Sequence, residues 1–134
     1  MKIYTLKLFT TEVVKSNPSY LFIFGDNDIK VGKGGQAIIR HESNTAGIPT
    51  KKLPNNKESS FYNDDEYDSN VEKIDIAIKI IKQRIFNSNP KYEAIVFPVD
   101  GLGTGLANLP IVAPLTFKYL VEQIEILKED MKNI

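Results

Sequence analysis

The groups best suited to chemistry lie in two glycine-rich loops. The first runs Phe24-Gly25-Asp26-Asn27-Asp28 and continues through Gly32-Lys33-Gly34-Gly35-Gln36-Ala37. The second is Asp100-Gly101-Leu102-Gly103-Thr104-Gly105-Leu106-Ala107. Each follows an apolar run that reads as a buried strand and precedes a helical pattern. A strand end, a glycine loop and a helix N-terminus together expose several amides to one small volume. The helix dipole adds partial positive charge there, which suits a phosphate. Two such loops in a small chain point to a pocket for a phosphorylated small molecule. The expected ligand-binding residues are Gly25, Gly32, Lys33, Gly34, Gly35 and Gln36 from the first loop, and Gly101, Leu102, Gly103, Thr104 and Gly105 from the second.

Asn27, Asp26 and Asp100 are the candidate catalytic residues. Asn27 or Asp26 could orient a water. Asp100 could bond a ribose hydroxyl or orient a water, or it could cap its own loop by accepting amides. Each loop also has a purely architectural reading. The glycines could serve positive φ in tight turns, and Asp26-Asn27-Asp28 could form an Asx turn or a helix cap. Three adjacent side chains converge poorly on Mg²⁺, so no metal or other cofactor is implied. Lys33 is either a point charge for a phosphate or a solvated lysine. His41 is the sole histidine; with no Ser-His-Asp order in the chain, a surface or core role suits it better than catalysis.

The elements that must position these loops follow from apolar spacing. Ile3 to Phe9 alternates as a strand. Ser19 to Phe24 and Tyr92 to Val99 hold continuous apolar runs, the pattern of strands covered on both faces. Gly34 to Glu42 reads as a short helix starting on the glycines. Ala46 to Leu53, with Gly47 and Pro49, reads as a loop or a short extended piece. Asn55 to Asn70 is polar, carries acids at Asp64, Asp65, Glu66 and Asp68, and reads as a solvated excursion. Ser69-Asn70-Val71-Glu72 has the form of a capping box. Val71, Ile74, Ile78, Ile81 and Ile85 follow at helical spacing, and Asn87-Ser88-Asn89-Pro90 ends that helix. A last helix carries Leu120, Ile124, Leu127 and Met131 on one face. Pro110 belongs in its first turn, and Pro114 marks a kink or a later start.

Strand, loop and helix, twice over, describe an α/β layered domain in which ligands bind outside the carboxyl ends of the strands. The chain has 134 residues, enough for one domain spanning 1–134. Seventeen basic and seventeen acidic side chains cancel, which argues against general nucleic-acid binding. There is no cysteine, so disulfides and thiolate chemistry are excluded. The N-terminus lacks a signal-peptide core and no apolar run spans a bilayer, so the expectation is a cytoplasmic protein with no membrane partner.

The two loops resemble those of macro domains, which bind ADP-ribose. In that family a buried strand ends in Asn-Ala-Ala-Asn, a glycine run follows, and a later Gly-x-Gly loop comes after a strand ending in small residues or proline. Leu21 to Asn27 takes the place of the first strand end. Gly32 to Ile39 takes the place of the glycine run and helix, and Phe97 to Gly105 that of the later loop. The resemblance implies that Asn27 contacts the distal ribose, that Gly34 and Gly35 close on it, and that Gly103, Thr104 and Gly105 hold the diphosphate. Asn44 to Lys51 falls where the family has a glycine-threonine stretch. Gly25-Asp26 replaces Ala-Ala, Lys33 interrupts the glycines, and the family's adenine-contacting Gly-Asp-Ile strand is missing or shortened. The Lys-, Asn- and Ile-rich sequence also resembles small proteins of large tailed phages, which would place it in a host cytoplasm.

The resemblance implies a compact single-domain macro-like fold, with a mixed or mainly parallel sheet flanked by helices. It implies a small-molecule nucleotide derivative as partner, ADP-ribose-like or NAD-derived, either hydrolysed or sequestered. Valine at Gly103 or Gly105 is expected to abolish binding with the fold largely intact. The alternative from another class is a non-enzymatic protein that binds a host protein through the acidic stretch Asp64 to Asp68 and exposed Tyr62 and Tyr67.

Overall fold

The computed structural model describes residues 1–134. Four strands form one all-parallel sheet: β1 (Lys2–Leu6), β2 (Tyr20–Asn27), β3 (Thr45–Lys51) and β4 (Ala94–Pro98), in spatial order β1-β4-β2-β3. The helices are α1 (Thr11–Ser16), α2 (Tyr67–Asn87), α3 (Leu109–Val112) and α4 (Pro114–Lys132). This is an α/β domain with a parallel sheet between helical layers.

Strand alternation fixes the layers. Leu21 and Ile23 of β2 and Ile95 and Phe97 of β4 face α2 and α4, where they join Ile74, Ile78, Ile81, Ile85, Leu120, Ile124, Leu127 and Met131. Phe22, Phe24 and Val96 face the other way, against Phe9, Val14, Ala37 and Ile39. The central strands are therefore apolar on both faces, as their continuous apolar runs require. Each of the fully buried isoleucines on α2 contributes about 1.5–3 kcal/mol, so the helical isoleucine spacing decides where α2 lies.

Several expectations are corrected. Of the two readings of Ala46 to Leu53, loop or short extended piece, the extended one holds and goes further: Thr45–Lys51 is a full edge strand paired to β2. Pro49 is tolerated there because an edge strand has one unpaired side. Arg84 of α2 donates to the carbonyls of Ser43 and Thr45 and covers part of that edge. The polar excursion is solvated at residues 55–59, as expected, but docked through Ser60, Tyr62, Asp64 and Asn70. Tyr62 is only 1 % exposed, so it offers no surface to a partner. Asp64 accepts from the amides of Leu115 (3.0 Å) and Thr116 (3.1 Å) and caps α4. The capping box does not form, because α2 begins at Tyr67 and Ser69 already lies inside it. Pro114 marks the start of α4. No helix is long and apolar enough to cross a membrane.

Candidate functional site

β2 and β4 are neighbours, so the loops leaving their carboxyl ends meet. Gly25, Asp26, Asn27, Gly32, Lys33, Gly34, Gly35 and Gln36 line one cavity of about 190 Å³ together with Gly103 and Gly105. Gln36 joins the two loops. Its Oε1 accepts from the Gly25 amide at 2.9 Å, and its Nε2 donates to the Gly101 carbonyl at 3.1 Å. Its amide is thus spent on architecture, although the residue forms part of the wall.

Four other expected residues lie off the cavity. Leu102 is core. Gly101 contributes its carbonyl to Gln36, and the Thr104 hydroxyl donates to the Asp100 carbonyl at 2.9 Å. Asp100 is exposed and lines a separate cleft with Phe97, Phe117 and Lys128. Its position just past the strand end turns it outward, so it cannot act in the cavity as a base.

Asp26 and Asn27 are each 8 % exposed, and both already have partners. Asp26 is gripped by Arg40 through both carboxylate oxygens, with Nε to Oδ2 at 3.3 Å. Arg40 also donates to the Gly32 carbonyl, which ties the glycine run to the strand end. Asn27 Nδ2 donates to the Val31 carbonyl at 2.7 Å, while Oδ1 accepts from the Val31 amide at 3.4 Å. The asparagine closes its own turn, as an Asx arrangement does. Asp28 turns away, pairing with Lys73 at 2.7 Å and accepting from Tyr62 at 2.6 Å. Burial, reinforced by that bond to Asp28, pushes the Tyr62 hydroxyl far above its ordinary value. Asp26 and Asp28 therefore diverge onto different cations, and no group of three or more His, Cys, Asp or Glu side chains gathers to hold a metal. His41 is exposed and does not line the cavity.

The helix-dipole expectation is also corrected. The first loop leads into a five-residue 3₁₀ turn, Gly35–Ile39, and the second into the four-residue α3. Neither is long enough to carry an appreciable dipole. What the loops do offer is backbone. The cavity-lining amides of Gly32, Lys33, Gly34, Gly103 and Gly105 donate to no other backbone or side-chain group. Gly32, Gly35, Gly101 and Gly103 have positive φ, so the conformational role of the glycines is real as well.

The sequence reading passed over Lys51, the last residue of β3, which also lines the cavity. It is 6 % exposed, and no carboxylate lies within ion-pair distance of its ammonium. That ammonium lies 4.4 Å from the centre of the Phe61 ring. Burial lowers its pKa below the ordinary lysine value. The only signal available in the sequence was the glycine-threonine position of the resemblance, and it was obscured because Gly47 and Pro49 made the segment read as loop or a short extended piece.

Residues 4–123 match the model of a family described as Family of unknown function (DUF7831). The chain belongs to that family. No curated protein and no solved structure matches it. The matched span falls wholly within the domain just described, and it includes both glycine loops, Lys51 and the Arg40–Asp26 tie.

Proposed function

We propose that this DUF7831 member binds a phosphorylated nucleotide derivative, ADP-ribose-like or NAD-derived, with its phosphate between the two glycine loops. The observation that carries this reading is the convergence of both loops on one cavity where the amides of Gly32, Lys33, Gly34, Gly103 and Gly105 have no protein acceptor. Such amides form a nest for an anion without needing a net basic surface. The order of the loops along the chain, which resembles that of macro domains, supports the nucleotide part of the reading. A cavity of about 190 Å³ takes one end of such a ligand; sites that bury whole drug-sized molecules run to about 300–1,000 Å³.

Sequestering suits the site better than hydrolysis. A general base must reach a proton in the cavity. Asp26 is held by Arg40, Asn27 by Val31, and Asp100 faces another cleft. Calorimetry with ADP-ribose and a panel of NAD-derived nucleotides tests the proposal. The expected result is saturable binding of at least one of them without turnover. Absence of binding across the panel defeats the reading, and turnover defeats the sequestering part of it.

A further inference from the structure

The cavity is not electrically balanced, and the imbalance is local. Asp26 is the only acid in its wall, and Arg40 neutralises it from behind. Lys33 and Lys51 remain without acidic partners. They differ in consequence. Lys33 is exposed and water compensates it. The Lys51 residue is nine-tenths buried, and its ammonium makes no ion pair or hydrogen bond within the protein, resting against the face of Phe61. An aromatic face returns a fraction of what a lost hydration shell or carboxylate would supply. A fold that merely needed to fill this position could use an apolar side chain of the same length. An ammonium that reaches the cavity on a largely buried stem, with no carboxylate partner and beside unpaired amides, is arranged for an incoming anion.

We infer that Lys51 is the charge-selecting residue of the cavity, seating a doubly charged phosphate monoester in preference to a singly charged phosphodiester or a neutral sugar. The inference rests on the phosphate-pocket reading and specifies which phosphate enters. The loop amides bond phosphate oxygens whatever their charge. The ammonium adds a Coulomb attraction that grows with the ligand's charge in a partly desolvated space. A monoester gains its second negative charge near pH 6, whereas the internal phosphates of a diphosphate diester carry one each. The small cavity fits the same class, since a ribose phosphate end group needs far less room than a dinucleotide.

Calorimetry with three probes tests this: ribose 5-phosphate, ADP-ribose and ribose. Wild type should bind ribose 5-phosphate more tightly than ADP-ribose at pH 8, with about tenfold weakening at pH 5, and should not bind ribose. Lys51→Met should weaken ribose 5-phosphate at pH 8 by about tenfold or more, the loss of one charge-assisted bond, and should remove the preference over ADP-ribose. Lys51→Gln provides a second variant if the methionine protein does not fold, and the wild-type probe ranking needs no variant. If wild type binds ADP-ribose but prefers it to the monoester, or if a folded Lys51 variant keeps the wild-type ranking, the inference is overturned and the pocket reading stands. If wild type binds none of the phosphorylated probes, both fall.

Discussion

Two cavities share the wall formed by Asp26 and Asn27, and they are built on opposite terms. The second, about 490 Å³ against about 190 Å³ for the first, lies between β3 and α2. It is the roomier of the two and is lined by Ile76 and Ile80. Its charges are nevertheless settled: Arg40 with Asp26, Lys73 with Asp28, and Arg84 on the carbonyls of Ser43 and Thr45. Lys30 is exposed and left to water. The smaller cavity holds unpaired amides and an unpaired buried lysine. Donors left without a protein acceptor around one concave space are a better mark of a ligand site than volume.

The shared wall is where this contrast can be broken most severely. Arg40→Met leaves the Asp26 carboxylate buried without its cation and frees the Gly32 carbonyl. The expected cost is about 3–5 kcal/mol in urea unfolding, with loosening of both cavities. A variant as stable as wild type would mean that the wall is not what holds the two cavities apart.

A smaller effect separates two glycines that the sequence treats alike. Gly103 has φ +78°, and an added Cβ would lie 3.1 Å from Leu109 Cβ and Cδ2 and 3.3 Å from Thr50 Cβ. Gly105 has nothing within 4 Å of that position. Gly103→Ala should cost about 1–2 kcal/mol from the backbone conformation alone, and more if Leu109 cannot yield. Gly105→Ala should stay within about 0.5 kcal/mol. Valine at Gly103 therefore carries a stability cost that valine at Gly105 avoids, and Gly105→Val is the substitution to use against phosphate binding. Equal stability losses at the two positions would show that the buried side of the second loop is softer than its packing implies.

The smallest expected effect concerns the unpaired lysine itself. Burial lowers its pKa in the folded protein from 10.5, the value the unfolded chain recovers. Between the two values the unfolded chain binds more protons, so stability rises as pH rises through that window. Below it the cost of the buried charge is paid in full. Lys51→Met should remove this component of the rise and slightly stabilise the ligand-free protein at neutral pH. Denaturant unfolding of both proteins from pH 7 to 11 reads the difference. Parallel curves, or a less stable methionine variant, would place Lys51 among the ordinary structural residues.

Much of the frame was legible because burial leaves a period in the chain. The apolar runs of β2 and β4, the isoleucines of α2 and the face of α4 each announce an element through local spacing alone. The glycine loops were legible for the same reason, as breaks between strong periodic segments. β3 was legible only as one of two alternatives, because an edge strand with Gly47 and Pro49 gains its identity from pairing with β2 rather than from propensity. The polar stretch ahead of α2 was legible at residues 55–59 but not beyond, because Tyr62 and Asp64 are fixed by partners far along the chain, Asp28 and the start of α4.

By itself, then, the sequence determined the α/β order, the two core faces, and the fact that both glycine loops leave strand ends. Only the tertiary structure decided that the order β1-β4-β2-β3 brings those loops together across Gln36. Only it decided that Asp26, Asn27 and Asp100 are spent or turned away, and that Lys51 is buried without a counter-charge. The reason is physical. Secondary structure is written in spacings of two to four residues, whereas the pairing of a charge depends on what distant parts of the chain bring within about 4 Å of it.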